Sequence, residues 1–140
     1  MKTRLIMIGA IAIGAVVAVA AHVTIGPAES KHGANERYVV RVPTEGQVAT
    51  VGVDLAVPDG VTVSGVLASA GWTAELVREG DRTTGIRWKV QIPPRQFGEL
   101  VFTARNPREG AAISWKVVQR FEDGTSREWT SSTKLLPSGQ

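Results

Sequence analysis

Apolar and polar residues alternate along most of this chain, and the alternation restricts its fold more than any other feature. A period of two puts successive side chains on opposite faces of an extended strand, whereas an amphipathic helix repeats about every 3.6 residues. Residues 51, 53, 55 and 57, for example, are all Val or Leu. Since no stretch after the first 21 residues has a convincing helical period, the sequence predicts an all-β fold.

Turn signals divide this alternation into short segments. Pro58-Asp59-Gly60, Asn106-Pro107 and Asp123-Gly124 are three of them, and such signals recur about every 8–12 residues. This spacing is typical of an antiparallel sandwich or barrel, here with about eight strands. A chain of 140 residues suits one domain. We place this domain at residues 22–136 and expect a frayed tail at residues 137–140.

The first 21 residues have a different character from the rest. Met1-Lys2-Thr3-Arg4 is a short cationic head, and residues 5–21 form an uncharged apolar run that ends in small residues. This pattern is typical of a secretory signal peptide, which enters the membrane only during export. An uncleaved anchor is the alternative, but the run lies at the lower limit of what spans a bilayer. The sequence therefore predicts an exported protein, periplasmic or extracellular.

Two cleavage positions satisfy the small-residue rule, one after Ala20 and one after Ala21. We favour the second, which makes His22 the first residue of the mature chain. Its α-amine and Nδ1 atom could then close a six-membered chelate ring on one metal ion. Paired nitrogens favour Cu(II). A cut after Ala20 would give a different chelate, and the alternative to both is an ordinary surface histidine at a strand start.

Two carboxylates are candidates to complete such a site. Glu45 follows Val42-Pro43-Thr44, just beyond a predicted strand end, where the loops of a sandwich gather. Glu36 lies in a predicted loop before the second strand. Either side chain would otherwise be a solvated charge. His32 is the other histidine of the chain, and we expect it to be a solvated residue of the loop at 29–36.

The tryptophans fall into two groups. A two-residue loop at Asp123-Gly124 would pair Val118 with Trp129. Trp129 would then lie on the face opposite to Trp115, which the alternation identifies as the core face. An outward indole could cover a metal ion or contact a partner, although a three-residue loop would reverse the assignment. The remaining tryptophans are predicted to lie in the core: Trp72, Trp88 and Trp115.

Composition and motifs exclude several classes of function. The net charge of +3 includes Lys2 and Arg4, so the chain after residue 21 carries 14 basic against 13 acidic side chains. It has no basic patch for nucleic acid. Without cysteine it has neither disulfides nor a thiolate metal site. We find no nucleophile elbow and no phosphate-binding glycine loop, and we predict no enzymatic activity.

A series of short motifs runs through the chain in a fixed order. They are His22-Val23-Thr24-Ile25 with Pro27-Ala28, Glu36-Arg37-Tyr38, Arg41-Val42-Pro43-Thr44-Glu45, Pro58-Asp59-Gly60-Val61, Gly71-Trp72, Ile92-Pro93-Pro94 with Gln96-Phe97, Ser114-Trp115-Lys116, and Phe121-Glu122-Asp123-Gly124 with Glu128-Trp129. In these motifs the chain resembles the YcnI-like family of bacterial exported copper-binding proteins. The resemblance covers nearly all of residues 22–130. Each motif alone is weak, but the ordered set is specific.

This resemblance implies a Greek-key β-sandwich, cupredoxin-like or immunoglobulin-like, that binds one Cu(II) ion through a single-histidine brace. The implied ligands are the amine and side chain of His22 and the carboxylate of Glu45, with the Trp129 indole beside the ion. The chain departs from the family at Arg95, where relatives tend to have Gly after the double proline. The loop around His32 also differs.

Three functional hypotheses follow. The first is an exported protein of copper homeostasis, a metallochaperone or copper store, with a membrane copper transporter or another copper carrier as partner. The second is a copper oxidase or oxygenase, which needs a second imidazole that only His32 could supply. The third is an interaction module of the cell envelope that displays Trp129 and binds no metal.

Overall fold

The computed structural model describes residues 22–139, which form ten strands and no helix. The predicted leader, residues 1–21, and Gln140 lie outside this range. Within it, no helical segment is long and apolar enough to cross a membrane. The strands are β1 (Thr24–Gly26), β2 (Glu29–Lys31), β3 (Asn35–Pro43), β4 (Thr50–Ala56), β5 (Thr62–Val66), β6 (Thr73–Glu79), β7 (Arg82–Ile92), β8 (Phe97–Arg105), β9 (Ala112–Phe121) and β10 (Ser126–Leu136).

The strands form two sheets that pack face to face as a β-sandwich, as predicted. One sheet has four strands in the order β1-β3-β8-β5, and the other has six in the order β2-β10-β9-β4-β7-β6. Neighbouring strands are antiparallel except β2, which pairs with β10 in parallel. The alternation missed β2 because three residues, Glu-Ser-Lys, are too few to show a period. Glu36, which we expected in a loop, lies inside β3.

An aromatic cluster lies among the aliphatic side chains between the two sheets. Trp115 and Phe102 each contact Tyr38, with ring centroids 5.0 and 5.4 Å apart respectively. Trp88 packs against Phe102 at 6.4 Å. Aromatic pairs of this kind contribute about 0.5–1.5 kcal/mol beyond the burial of their area. Trp88 and Trp115 are core residues as predicted, whereas Trp72 is half-buried at the margin of the core.

The two ends of β3 define the two ends of the sandwich. Pro43 pairs with Phe97 at the start of β8, and Asn35 pairs with Arg105 at its end. Because β3 has nine residues, these ends lie about 25 Å apart at about 3.3 Å per residue. We call them the Pro43 end and the Asn35 end. β10 ends at Leu136, and residues 137–139 follow without secondary structure.

Candidate metal centre

His22 lies at the Pro43 end, two residues before β1. Thr24 pairs with Arg41 and Gly26 with Val39, so the antiparallel chain runs towards Pro43 as it approaches His22. Val23 and Ile25 are buried in the core at 1% and 3% exposure. The Ile25 N–H donates to Ser131 Oγ of β10 at 3.1 Å. These contacts anchor the segment, and the exposed imidazole of His22 is held beside the sandwich.

The imidazole of His22 contacts the indole of Trp129. Their ring centroids lie 5.0 Å apart with an interplanar angle of 78°, an edge-to-face arrangement. The guanidinium of Arg127 lies over the same indole, 4.4 Å from the ring centroid. Trp129 is therefore bordered by the imidazole of a predicted ligand and by a guanidinium cation.

The prediction that Trp129 points outward is wrong, because the β9–β10 loop has three residues. Ser126 pairs with Arg120 and Trp129 with Val117, which is buried. The third loop residue is Gly124, which has a φ of 84°. Glycine adopts this conformation at no steric cost. One extra residue reverses the parity of the strand. The half-buried indole of Trp129 thus packs against the core.

Hydrogen bonds within the hairpin stabilise this longer loop. The Phe121 N–H donates to the Thr125 carbonyl at 2.9 Å, and the Gly124 N–H donates to the Phe121 carbonyl at 3.0 Å. Asp123 Oδ1 accepts from the hydroxyl of Thr125 at 2.6 Å and from its N–H at 2.9 Å. Both hydrogen bonds lower the pKa of Asp123, and the bond from the Thr125 hydroxyl has the larger effect.

Glu45 lies at the same end, two residues beyond β3. Its exposed side chain lines a cavity of about 290 Å³ together with Trp129, Arg127 and Gln119. The preceding residue, Thr44, is 1% exposed, and its backbone hydrogen bonds hold the chain in position between β3 and Glu45. Its N–H donates to the Gln96 carbonyl at 2.9 Å, and its carbonyl accepts from the Arg95 N–H at 2.8 Å.

Trp129 is the residue that connects the two predicted ligands. Its indole contacts His22 and lines the cavity that Glu45 also lines. The structure therefore brings His22, Glu45 and Trp129 to one end of the sandwich.

His32 and Glu36 are at the other end. His32 precedes β3, and its Nε2 atom lies 2.6 Å from the carbonyl oxygen of Gly110. Glu36 is the second residue of β3, and its Oε2 atom accepts from Ser30 Oγ at 2.7 Å. Neither side chain is near His22, because the length of β3 separates them. Of the two candidate carboxylates, only Glu45 shares an end with His22.

Gln119 is a residue of this site that our sequence analysis did not identify. It lies on β9, is 2% exposed, and accepts a hydrogen bond from Trp129 Nε1 at 2.9 Å. The signal that could have found it is its position. Trp115, Val117 and Phe121 alternate with outward residues, and Gln119 is the polar member of that inward series. A polar side chain on a core face needs hydrogen-bond partners, and the partners of Gln119 lie at the Pro43 end.

The donor set determines which metal the site fits. Within residues 22–139, no three or more His, Asp or Glu side chains are grouped so as to hold a metal ion. At the Pro43 end Asp123 also lines the cavity, but its Oδ1 atom accepts two hydrogen bonds from Thr125. The predicted ligands His22 and Glu45 supply one imidazole and one carboxylate. A chain that begins at His22 adds an amine nitrogen beside that imidazole. Two nitrogens and one oxygen fit Cu(II), which accepts tetragonal nitrogen and oxygen sites.

Comparison with known proteins gives matches over most of the described residues. The model of a domain of unknown function, DUF1775, matches residues 22–139. The copper-binding protein CutI of Bacillus subtilis (strain 168) is 32% identical over 113 residues, which cover 79% of this chain and 55% of CutI. The chain thus spans about half the length of this curated relative.

Solved structures show the same fold. An uncharacterized protein from Nocardia farcinica with an immunoglobulin-like fold has a TM-score of 0.74 at 21% identity, over 81% of this chain and 97% of its own. A cohesin module from a Clostridium perfringens family 33 glycoside hydrolase has a TM-score of 0.59 at 9% identity, over 84% and 97% respectively. Likeness at these identities concerns the immunoglobulin-like fold alone.

Proposed function

The chain belongs to the DUF1775 family, and from this premise we propose that it is an exported Cu(II)-binding protein of copper homeostasis. The resemblance to YcnI-like proteins is confirmed by the similarity to CutI, whose name states that it binds copper. In our proposal the chain acts as a metallochaperone or copper store and is not an enzyme. It binds the ion through an N-terminal single-histidine brace.

One observation carries this proposal, namely that the indole of Trp129 contacts His22 and borders the cavity of Glu45. The amine and Nδ1 of His22 and the carboxylate of Glu45 would hold the ion, and Trp129 would cover one side of it. Val23 and Ile25 hold His22 in position from the core. Because two parts of the chain far apart in sequence supply the donors, the folded domain is required to assemble them.

The exposure of both donors suits a cargo ion better than a resident one. His22 and Glu45 are at the surface of the sandwich. A partner's side chain can therefore approach the ion and replace one ligand at a time. This supports transfer to a membrane copper transporter or to another copper carrier, in the periplasm or outside the cell.

The competing hypotheses have less support from the geometry. A histidine-brace oxygenase needs a second imidazole, and His32 is at the Asn35 end with its Nε2 atom against the Gly110 carbonyl. An interaction module that displays Trp129 on an outer face conflicts with the packing of that indole against the core.

The proposal is tested on exported protein whose N-terminus has been determined by intact mass and sequencing. We expect the chain to begin at His22. Cu(II) should quench Trp fluorescence with an endpoint at one equivalent, because Trp129 borders the site. His22→Ala should lose this binding, with affinity reduced by more than about 100-fold, above the range for changes outside the ligand set. Glu45→Ala should weaken it.

His32→Ala and Glu36→Ala are matched controls, since they remove the same donor types from the Asn35 end and should leave the titration unchanged. A chain that keeps Ala21 provides a further test, because its His22 nitrogen is an amide and cannot complete the brace. Its Cu(II) should be held instead by the different chelate of the Ala21 amine, that amide nitrogen and the imidazole, and its Cu(II) absorption spectrum should differ from that of the chain beginning at His22. Equal Cu(II) affinity in wild type, His22→Ala and Glu45→Ala would contradict the site.

A further inference from the structure

A buried network of side-chain hydrogen bonds lies beneath the candidate metal centre. Gln119 Nε2 donates to the Pro43 carbonyl at 2.9 Å and to Thr50 Oγ1 at 2.8 Å. Thr50 Oγ1 lies 2.6 Å from Thr44 Oγ1, which donates to the Ile92 carbonyl at 2.9 Å. Gln119, Thr44 and Thr50 are each at most 2% exposed. The network crosses between the sheets, because Pro43 belongs to the four-stranded sheet and Gln119 to the six-stranded one.

The chemistry of the end groups determines the direction of every bond in this network. An indole N–H can only donate, so the amide oxygen of Gln119 must face Trp129. A carbonyl can only accept, so the Gln119 NH₂ group faces Pro43. The Thr44 hydroxyl donates its single hydrogen to the Ile92 carbonyl. The Thr50 hydroxyl must therefore be the donor in its bond with Thr44. The Gln119 amide is thus held in one orientation.

The network connects the Trp129 indole to the chain segment that leads to Glu45. On one side the amide oxygen holds the Trp129 indole, which contacts His22. On the other side the amide NH₂ group holds the carbonyl of Pro43, two residues before Glu45. Any rotation of the Gln119 amide would break a bond on both sides at once. Bonds inside such a buried network polarise and reinforce one another.

We propose that Gln119 is a positioning residue of the metal centre, and that its amide holds the Trp129 indole and the Pro43–Glu45 segment in register across the sandwich. This inference rests on the proposed function. Gln119 acts through Trp129 and Pro43, which its amide holds by hydrogen bonds. Hydrogen-bonded partners outside the ligand set of metal sites typically change affinity by about 10–100-fold when they are removed.

The protein contains a matched control for the loss of a buried amide. Asn106 is also 2% exposed, and its Nδ2 atom donates to Ser30 Oγ at 2.7 Å and to the Lys31 carbonyl at 2.8 Å. Its Oδ1 atom accepts from the hydroxyl of Tyr38. This amide lies at the Asn35 end. Like Gln119→Leu, Asn106→Leu therefore leaves buried polar groups without hydrogen-bond partners and lowers stability. It does so at the Asn35 end and leaves the Pro43 end unchanged.

The test compares wild type, Gln119→Leu and Asn106→Leu, each as a mature chain beginning at His22. Before any copper is added, the ¹⁵N–¹H signal of the Trp129 indole should shift in Gln119→Leu and exchange its proton faster, because its acceptor is gone. Trp129→Phe identifies the signal. The Cu(II) dissociation constant should rise about 10–100-fold in Gln119→Leu. Asn106→Leu should leave both readings at their wild-type values. If Gln119→Leu does not fold, Gln119→Met, which keeps an unbranched side chain, replaces it.

The outcomes separate this inference from the proposed function. A shifted indole signal together with weakened Cu(II) binding in Gln119→Leu alone supports the positioning role. Wild-type affinity in Gln119→Leu, with or without a change in the indole signal, overturns that role and leaves the proposed function intact. An equal loss of affinity in Asn106→Leu also overturns it, since general destabilisation then explains the effect. A wild-type chain that binds no Cu(II) removes both proposals.

Discussion

Arg95 has a backbone conformation that its side chain disfavours. It has a φ of 66°, and within residues 22–139 no other residue except glycine has a positive φ. The Gln96 N–H donates to the Pro93 carbonyl at 3.2 Å, which closes a turn with Pro94 and Arg95 at its centre. A turn with Pro at its second position and a positive φ at its third favours Gly there. The turn also holds Thr44, beside Glu45.

Arg95→Gly should therefore stabilise the fold. Relief of the left-handed conformation contributes about 1–2 kcal/mol, and the greater backbone entropy of Gly in the unfolded chain offsets about 0.5–1 kcal/mol of it. We expect the free energy of unfolding in urea to rise by about 0.5–1 kcal/mol. Arg87→Gly, at an exposed position of β7 whose φ is not positive, should lower it instead. A decrease for Arg95→Gly would show that the side chain of Arg95 outweighs the backbone effect.

At the scale of elements, β8 packs tightly against the other sheet at Gly98. This residue pairs with Val42 at the Pro43 end. A Cβ atom at Gly98 would lie 2.7 Å from Trp72 Cη2 and 2.8 Å from Ile92 Cδ1, closer than carbon atoms approach without displacement. Ile92 is 2% exposed and has little room to move. The absence of a side chain at Gly98 thus sets the separation between β8 and the end of β7.

Gly98→Ala should lower the free energy of unfolding by about 1–3 kcal/mol, the usual range for overpacking a filled core. Because Trp72 must move, its fluorescence emission should also shift. Gly46→Ala is the control, since its Cβ atom would meet no other atom within 4 Å. Wild-type stability in Gly98→Ala would mean that the two sheets separate more easily than their packing indicates.

At the scale of the whole molecule, each end of the sandwich has its own buried polar network, with the aromatic core between them. The Asn35 end contains the Tyr38 hydroxyl, which donates to Asn106 Oδ1. Burial raises the pKa of Tyr38 to about 12, since the ionised phenolate would lie in the apolar interior. Within residues 22–139, every fully buried side-chain nitrogen or oxygen has a hydrogen-bond partner.

The raised pKa of Tyr38 predicts a loss of stability in alkali. Below pH 10 the phenol is neutral in both folded and unfolded chains, and its stabilising effect is complete. Between pH 10 and about 12 the unfolded chain ionises while the folded chain does not, so stability falls as the pH rises. Tyr38→Phe has no phenol to ionise. It also loses the hydrogen bond to Asn106, which lowers the free energy of unfolding by about 1–3 kcal/mol.

The difference in unfolding free energy between wild type and Tyr38→Phe should therefore shrink from pH 10 to 12. Lysine titration affects both proteins equally and cancels in this difference. A constant difference across the window would show that the phenol ionises as easily in the folded protein as in the unfolded one.

Much of this architecture follows from local pattern. The period-two alternation predicted the all-β fold, and the proline and glycine signals placed most strand ends, including Pro43 and the Asp123-Gly124 turn. His22 was identifiable as a candidate ligand because it follows a predicted cleavage position, and Glu45 because it lies just beyond a predicted strand end. These features depend on neighbours a few residues away, so they can be recognised from sequence alone.

The tertiary structure decided which of these residues meet. The three-residue loop set the face of Trp129, because one residue more or less reverses an entire strand. Strand register placed Glu45 and His22 at the same end and His32 beyond the other end of β3. The hydrogen bonds of Gln119 depend on partners in three other strands, β3, β4 and β10. Alternation determines on which face of its own sheet a side chain lies. Only the pairing and packing of distant strands determine which residues that side chain contacts.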